Sequence, residues 1–431
     1  MILNVRLWDK EVAAVNWDAD RGFATIEFYQ SFALNGWNIS PLMMPLQDVM
    51  RGDRQFNFPT HRGKTFNGLP GLLADSLPDD YGNSVIDEWF AAKQMIRPIT
   101  PLDRLSYIGR RGMGALEYEP AEALSGLDDS SRVEIEYLTE LARQVLNERE
   151  KFSLKMLKKN NSLLDILRVG TSAGGAKPKA IIAINETTGE LRSGQVKAPE
   201  GFTYWILKFD GVEGEKLRDN PPGIGRIEYA YYKMALSCGI SMTECQLLPE
   251  GEVAHFMTKR FDRTEKGDKL HTHTLCGIAH FDRDERFSYE QIFQTIRSLH
   301  LPYSDMEQMY RRMVFNIVAR NQDDHTKNHS FIMKPTGEWS LAPAYDLCYA
   351  YSPSGKWTNQ HQLSLNNKRD NFTMKDLLAV AENADIRNAN DIIKNTIDVV
   401  SEWEKFAKNV DVKSEHIQQI KQNLRLQNFS S

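Results

Sequence analysis

The apolar period changes along this chain, and that change restricts the fold more than any other feature. Over Ile2 to Trp8, Glu11 to Val15 and Phe23 to Tyr29, apolar and polar side chains alternate, with Asp-rich turns between the runs. A period of two puts successive side chains on opposite faces of a pleated strand, so the three runs read as a small β-meander. From about Tyr289 onward the apolar residues recur mostly at three and four, the spacing of one helix face. The last third is therefore expected to be mainly helical. The middle is mixed. It reads as strands at Lys179 to Asn185, Tyr204 to Phe209 and His255 to Phe261, with a helix from Arg226 to Cys238 ended by Gly239. A turn at Glu186 to Gly189 and a linker from Asp210 to Gly225, containing Pro221 and Pro222, separate these elements. The class is α+β. A length of 431 residues implies more than one core; the expected divisions are 1–155, an α+β unit, 156–262, a second one, and 263–431, mainly helical.

Local signals fill in the first division. Gly68 to Asn83 is dense in Gly, Pro and Asp, with Asp79 and Asp80 placed to cap a helix over Val85 to Met95. Pro98 and Pro101 are expected to end that helix. Ser125 to Ser131 reads as a polar link, and Tyr137 to Leu146 has helical spacing. No internal repeat is visible.

Charge and cysteines exclude some functions. Lysine and arginine total 53 against 58 aspartates and glutamates, for a net charge of −5. That balance argues against coating nucleic acid by bulk charge, while a local basic patch stays open. No run approaches the ~18 apolar residues of a membrane span. Met1 to Lys10 carries Arg6, Asp9 and Lys10, unlike a signal peptide. The expected location is cytoplasmic, without membrane contact. Cys238, Cys245, Cys276 and Cys348 have no paired spacing, as for reduced, buried thiols. His271, His273 and Cys276 lie close enough to suggest a metal, but lack a second ligand pair; a polar loop is the plainer reading.

Four motifs carry chemistry. Asp323 is followed five residues later by Asn328, after the apolar helical run Met313 to Val318. A carboxylate to take a hydroxyl proton and a nearby oxygen ligand for Mg²⁺ are what phosphoryl transfer needs. Asp346, after an apolar run a short way on, is placed as a second metal carboxylate; magnesium needs few protein ligands once phosphate is present. Lys208 projects from the apolar strand Trp205 to Phe209, and the α- and β-phosphates of ATP would meet its charge, with Glu228 as the candidate partner. Gly170 to Lys179, with Gly174, Gly175, Ala176, Lys177, Pro178 and Lys179, can bring backbone N–H groups and two lysines to phosphate oxygens. Each motif alone is weak. Their order, from Gly-rich loop through strand lysine and helix glutamate to Asp-x4-Asn and then Asp, is the order in which a two-lobed kinase builds its site.

Over most of its length the sequence resembles the HipA family of bacterial serine/threonine kinases, the toxin half of toxin–antitoxin pairs. The blocks that carry the resemblance are Leu73 to Asp79, Ile108 to Leu116, Ser172 to Lys179, Lys259 to Arg263 and Asp323 to Ser330. The resemblance implies a bilobal core related to protein and phosphoinositide kinases, with an extra N-terminal subdomain. It assigns Asp323 as base, Asn328 and Asp346 as magnesium ligands and Lys208 as a phosphate contact. Lys259 and Phe261 would hold adenine by their backbone, with Arg260 and Tyr345 in the same ATP-binding set, and His325 and Lys327 near the phosphates. Ser172 matches the family's autophosphorylated serine, although Thr171 stands beside it. Implied partners are a HipB-like DNA-binding antitoxin, operator DNA mainly through that antitoxin, and an aminoacyl-tRNA synthetase as protein substrate. Asp324 departs from a position often held by glycine, which adds a charge beside the base. Two other readings stand: a phosphoinositide or small-molecule kinase, because the catalytic loop resembles both, and a catalytically idle scaffold on DNA.

Overall fold

A computed structural model of the chain describes residues 1–34, 36–78, 82–83, 86–87, 90, 97–121, 130–139, 178–212 and 222–429. They group into two units. The first comprises Met1–Pro222, Leu248–His273 and Met333–Glu338; the second comprises Gly223–Leu247, Thr274–Ile332 and Trp339–Ser431.

In the first unit, β1 (Ile2–Leu7), β2 (Lys10–Asp18) and β3 (Phe23–Phe28) form the expected antiparallel meander. Leu3, Val5 and Leu7 are fully buried while Asn4 and Arg6 between them are not, as the period of two requires. With β4 (Gln55–Asn57) and β5 (Leu116–Glu119) they make a five-stranded sheet in the order β4-β3-β2-β1-β5. A second sheet contains β6 (Lys179–Asn185), β7 (Glu190–Ser193), β8 (Thr203–Lys208), β9 (Cys245–Glu250) and β10 (Val253–Lys259), in the order β7-β6-β8-β10-β9. Being central, β8 buries Trp205 and Leu207 against Ile182, Met257 and Leu138.

The end of the helix expected before Pro98 and Pro101 lies outside the described residues; Pro101 is not part of that helix but begins another, Pro101–Ile108. Thr100 accepts from the Asp103 N–H and Asp103 accepts from the Thr100 N–H, a reciprocal cap, and proline at the first position gives up an N–H that has no partner there anyway. Nor are His271 and His273 in a polar loop. They lie on β11 (His271–Thr274), both buried. The Nδ1 of His273 is 2.5 Å from Asp75 Oδ2, and the Nε2 of His271 is 3.4 Å from the Ile39 carbonyl. Among the described residues no group of three His, Cys, Asp or Glu is arranged to hold a metal ion. The caps expected at Asp79 and Asp80, and most of the helices expected over Val85 to Met95 and Tyr137 to Leu146, lie outside the described residues.

One buried charge cluster ties distant segments of this unit together. Asp262 accepts from Arg260 through Nε at 2.8 Å and Nη2 at 2.7 Å, from Arg263 Nη1 at 2.7 Å, and from the Gly114 N–H at 2.7 Å. Arg263 also donates to the Gly112 and Gly114 carbonyls. Gly114 has φ +72°, and a Cβ there would lie 2.7 Å from Thr272 Oγ1, so the backbone approach needs glycine. Burial alone would raise the Asp262 carboxyl; Arg260 and Arg263 overcome that and hold it well below the usual carboxylate range.

The second unit is mainly helical, as expected. It contains the helices Ile224–Ser237, Leu275–Ala279, Tyr289–Ser298 and Tyr303–Val318, then β12 (Ser330–Met333), β13 (Trp339–Leu341) and the helices Met374–Asn383, Ala389–Ser401, Trp403–Lys408 and Ser414–Asn423. The central helix is Tyr303–Val318, with Met309, Tyr310, Met313, Val314, Phe315, Ile317 and Val318 all fully buried. Tyr231 packs edge-on to Phe315 and Trp403, and its hydroxyl donates to the Ala319 carbonyl at 2.7 Å, where the central helix ends.

Replacing Asp262 by Asn should leave two buried arginines without their counter-charge and destabilise the chain by about 3–5 kcal/mol, read by urea unfolding. The folded carboxyl is depressed, so its contribution is present above the unfolded value of ~3.9 and is lost as pH falls. The parent should therefore lose more stability on acidification than the variant. An unchanged unfolding midpoint would show that the cluster contributes nothing.

Candidate active site

The central helix ends at Val318, and the chain reverses through Arg320, which has φ +59°. The next residues are held by the segment around Ala350: Gln322 donates its N–H to the Ala350 carbonyl at 3.0 Å, and the Ala350 N–H donates to Arg320 at 3.1 Å. Asp323 follows, then a single 3₁₀ turn over Thr326–Asn328. The buried Thr326 hydroxyl donates to the Phe281 carbonyl at 3.0 Å. The Asn328 Nδ2 donates to the Asp323 carbonyl at 2.8 Å and closes the loop on itself. That bond uses the donor end of the amide and leaves Oδ1 as the group able to meet a cation. The Asp323 side chain is 46% exposed, open to a substrate.

Asp346 reaches the same place from the other side. After β13, Ala342 donates its N–H to the Ser330 carbonyl and Ala344 donates to Ser241, so the chain is fixed up to Tyr345. The Tyr345 hydroxyl donates to the Lys327 carbonyl at 2.6 Å. Asp346 has φ +53°, a conformation that a non-glycine residue adopts at a cost of about 1–3 kcal/mol. Asn321 Nδ2 donates to its carbonyl at 3.3 Å. Burial pushes His325 below its ordinary value; the carboxylates of Asp323 and Asp346 pull it up, and Arg283 and Lys327 push it down. The His325 Nε2 lies 3.8 Å from Asp323 Oδ1.

Asp323, His325, Lys327, Asn328, Tyr345 and Asp346 are therefore brought together within the second unit. An amide oxygen and a carboxylate, both hard oxygen donors, fit a magnesium ion sharing its shell with phosphate oxygens. Pro178, Lys179, Lys208, Lys259, Arg260 and Phe261 belong to the first unit. There Lys208 is the cross-strand neighbour of Lys179 and Phe256, with its Nζ 5.5 Å from the Phe256 ring centroid. The Arg260 guanidinium is committed to Asp262 and to the Gly194 carbonyl, so its side chain is not available to a nucleotide. Glu228 is buried on the helix Ile224–Ser237 of the second unit. Ser172, Gly174, Gly175, Ala176 and Lys177 lie outside the described residues.

The charge that Asp324 was expected to add beside the base is present but withdrawn from solvent. Its side chain is fully buried. Oδ2 accepts from the Tyr289 hydroxyl at 2.6 Å and from His361 Nδ1 at 2.7 Å, and Oδ1 accepts from the Gln362 N–H at 2.7 Å. His361 Nε2 lies 3.1 Å from Arg425 Nη1, a permanent donor, so Nε2 is the bare nitrogen and Nδ1 carries the proton given to Asp324. Asn316 donates to the Tyr289 hydroxyl at 3.1 Å and accepts from Asn321 at 2.9 Å, which continues the network to Asp346. Burial would raise the Asp324 carboxyl, but His361, Tyr289 and the Gln362 N–H hold it below its ordinary value. The doubled aspartate was the one local signal of this network; His361 and Arg425, 37 and 101 residues further along the chain, gave none. Asp324→Asn, which sets an amide N–H among the donors Tyr289, His361 and the Gln362 N–H, should unfold at lower urea, by about 1–3 kcal/mol, and should flatten the acid limb of the stability profile. The depressed carboxyl contributes above its unfolded value and loses that contribution as pH falls. A variant as stable as the parent at neutral pH would remove Asp324 from this structural role.

Comparison with known proteins gives the family. Residues 3–119 match the family described as HipA N-terminal domain, and residues 171–420 match the HipA-like C-terminal domain. A protein of Haemophilus influenzae named "Putative kinase" is 28% identical over 180 residues, covering 36% of this chain and 52% of that protein. A second protein so named, from Sinorhizobium fredii, is 27% identical over 158 residues, covering 33% of this chain and 36% of that one. The chain thus spans about half the length of the first of these relatives and about a third of the second. The solved HipA of Shewanella oneidensis MR-1, in complex with HipB and its operator DNA, superposes with a TM-score of 0.65 at 16% identity, over 97% of this chain and 95% of that one. At that identity the likeness shows the fold, and the expected α+β class holds. With both family domains matched in order along its length, the chain belongs to the HipA family.

Proposed function

We propose that this protein is a serine/threonine-protein kinase that transfers the γ-phosphate of ATP to a protein hydroxyl, with magnesium as the metal. The observation that carries the reading is that Asn328 closes the Asp323 loop and lines one small cavity together with Asp346, with His325 beside Asp323. Asp323 orients the acceptor hydroxyl and takes its proton. Asn328 fixes the Asp323 backbone through Nδ2 and offers Oδ1 to the metal; Asp346 offers its carboxylate. When bound, the ion would offset charge on the phosphate oxygens. Lys208 is assigned to the α- and β-phosphates, His325 and Lys327 lie near the transferred group, and the backbones of Lys259 and Phe261 hold adenine. The sequence divisions 1–155, 156–262 and 263–431 would correspond to the family's N-terminal subdomain, its nucleotide-binding part and its catalytic part.

Family membership supports the proposed toxin role. The Shewanella relative is solved with HipB and operator DNA, which supports a HipB-like antitoxin here and operator contact mainly through it. An aminoacyl-tRNA synthetase is the proposed acceptor, and the cytoplasm the proposed location. Among the described residues no helix is long and apolar enough to cross a membrane.

Asp323→Ala should lower phosphoryl transfer on the order of 10²-fold or more while ATP binding, measured by calorimetry, persists. Asp346→Ala should weaken magnesium-ATP binding as well. Near-normal transfer by the first variant would end the assignment of the base, and labelling of phosphoinositides rather than protein would redirect the reading to a lipid kinase. Incubation with magnesium-ATP should place phosphate on the 170–179 segment, at Ser172 or Thr171, and not in Asp323→Ala protein. A phosphate there adds roughly −1.5 to −2 charges in the loop meant to cradle ATP. Ser172→Asp should therefore bind ATP poorly; equal binding and transfer would refute the switch.

A further inference from the structure

Asn328 and Asp346 line a cavity of about 10 Å³ together with, among others, Arg312, Asp324 and His329. That is room for one water molecule. Two atoms of the lining residues stand without a hydrogen-bond partner: the Nε of Arg312 and one ring nitrogen of His329, whose other nitrogen meets the Asp324 backbone. Each of these residues is 3% exposed, so bulk water does not serve them. Both are also fixed in place. The Nη2 of Arg312 donates to the Ala342 carbonyl at 2.7 Å, and the His329 carbonyl accepts from the Leu275 N–H at 2.7 Å. A buried polar atom left unmet costs ~1–3 kcal/mol, and an unmet donor and an unmet acceptor beside one small polar space call for an occupant that both accepts and donates. The guanidinium excludes a cation; the Asp324 and Asp346 carboxylates exclude an anion.

We propose that the cavity holds one ordered water, and that Arg312 and His329 act through it as positioning residues for the magnesium ligands Asn328 and Asp346. This rests on the kinase reading above. The water accepts the Arg312 Nε–H and donates to a bare ring nitrogen of His329 and to Asp346. Such a tether matters at Asp346, which sits in a left-handed conformation. Its carbonyl accepts from Asn321 at 3.3 Å, a long bond. Outer partners of metal ligands set ligand orientation, and their loss weakens metal affinity roughly 10- to 100-fold.

The test uses the full chain with a non-hydrolysable ATP analogue and Mn²⁺ in place of Mg²⁺, reading bound Mn²⁺ by electron paramagnetic resonance. His329→Leu and Arg312→Met should each weaken Mn²⁺ binding roughly 10- to 100-fold, with the metal-free affinity for the analogue unchanged. His329→Gln, which keeps a polar partner for the water, should recover most of the loss. Folded variants that bind Mn²⁺ as tightly as the parent would overturn the proposal and leave the kinase reading standing. A parent that binds no Mn²⁺–analogue complex would instead overturn that reading, and the proposal with it. If the apolar variants do not fold, a high-resolution crystal structure of the parent decides. Density for a water bonded to Arg312 Nε and His329 supports the proposal, and a cavity without it refutes it.

Discussion

A carboxylate withdrawn from water must have its lone pairs met by the protein, and at Asp324 this requirement organises the second unit of the molecule. Its two oxygens draw on Tyr289 at the start of one helix, on His361 and Gln362 from an irregular segment, and through His361 on Arg425 beyond the last long helix. Losing any one donor would leave a buried charge partly unmet, at a cost of several kcal/mol. The four segments therefore keep one arrangement, and Asp323, the next residue along the backbone, inherits a fixed position. Asp323 itself is half open to solvent, and its orientation depends on a neighbour that is not.

The same economy of roles recurs around the loop. Asn328 spends its donor on the Asp323 carbonyl, so one side chain both shapes the loop and presents an oxygen outward. Asn321 joins the buried Asn316 to the backbone of Asp346. Positive φ angles at Arg320 and Asp346 mark the two places where the backbone turns sharply to bring these groups together. Strain of this kind persists only where surrounding bonds over-determine the conformation, and both positions are so enclosed. The phosphoryl transfer proposed for this site would gain from such fixed geometry, because positioning and charge placement are most of what a protein can contribute to that reaction.

In the first unit the corresponding organiser is Asp262. The motif around Gly112 to Gly114 and the motif Lys259 to Arg263 stand about 150 residues apart in sequence, and both are explained by one cluster in which two arginines and a glycine N–H surround a carboxylate. Motifs that look independent in sequence are here two halves of one packing arrangement.

Period and spacing in the sequence determined a good deal. The N-terminal meander follows from alternation, because strand geometry turns every second side chain inward, and the helical last third follows from its three-and-four spacing. The reach from Asp323 to Asn328 is local, so its closure by one amide could be anticipated from the loop alone. The helix at Pro101 was also legible, through Thr100 and Asp103. What sequence could not decide is everything that depends on distance along the chain. Whether the Asp324 charge stands in solvent or is buried and bonded depended on His361 and Arg425, and the partners of His271 and His273 depended on Asp75 and Ile39. Polar side chains acquire their roles from the partners that folding delivers. Local propensity specifies the elements, and only the tertiary structure specifies which charge each buried group meets.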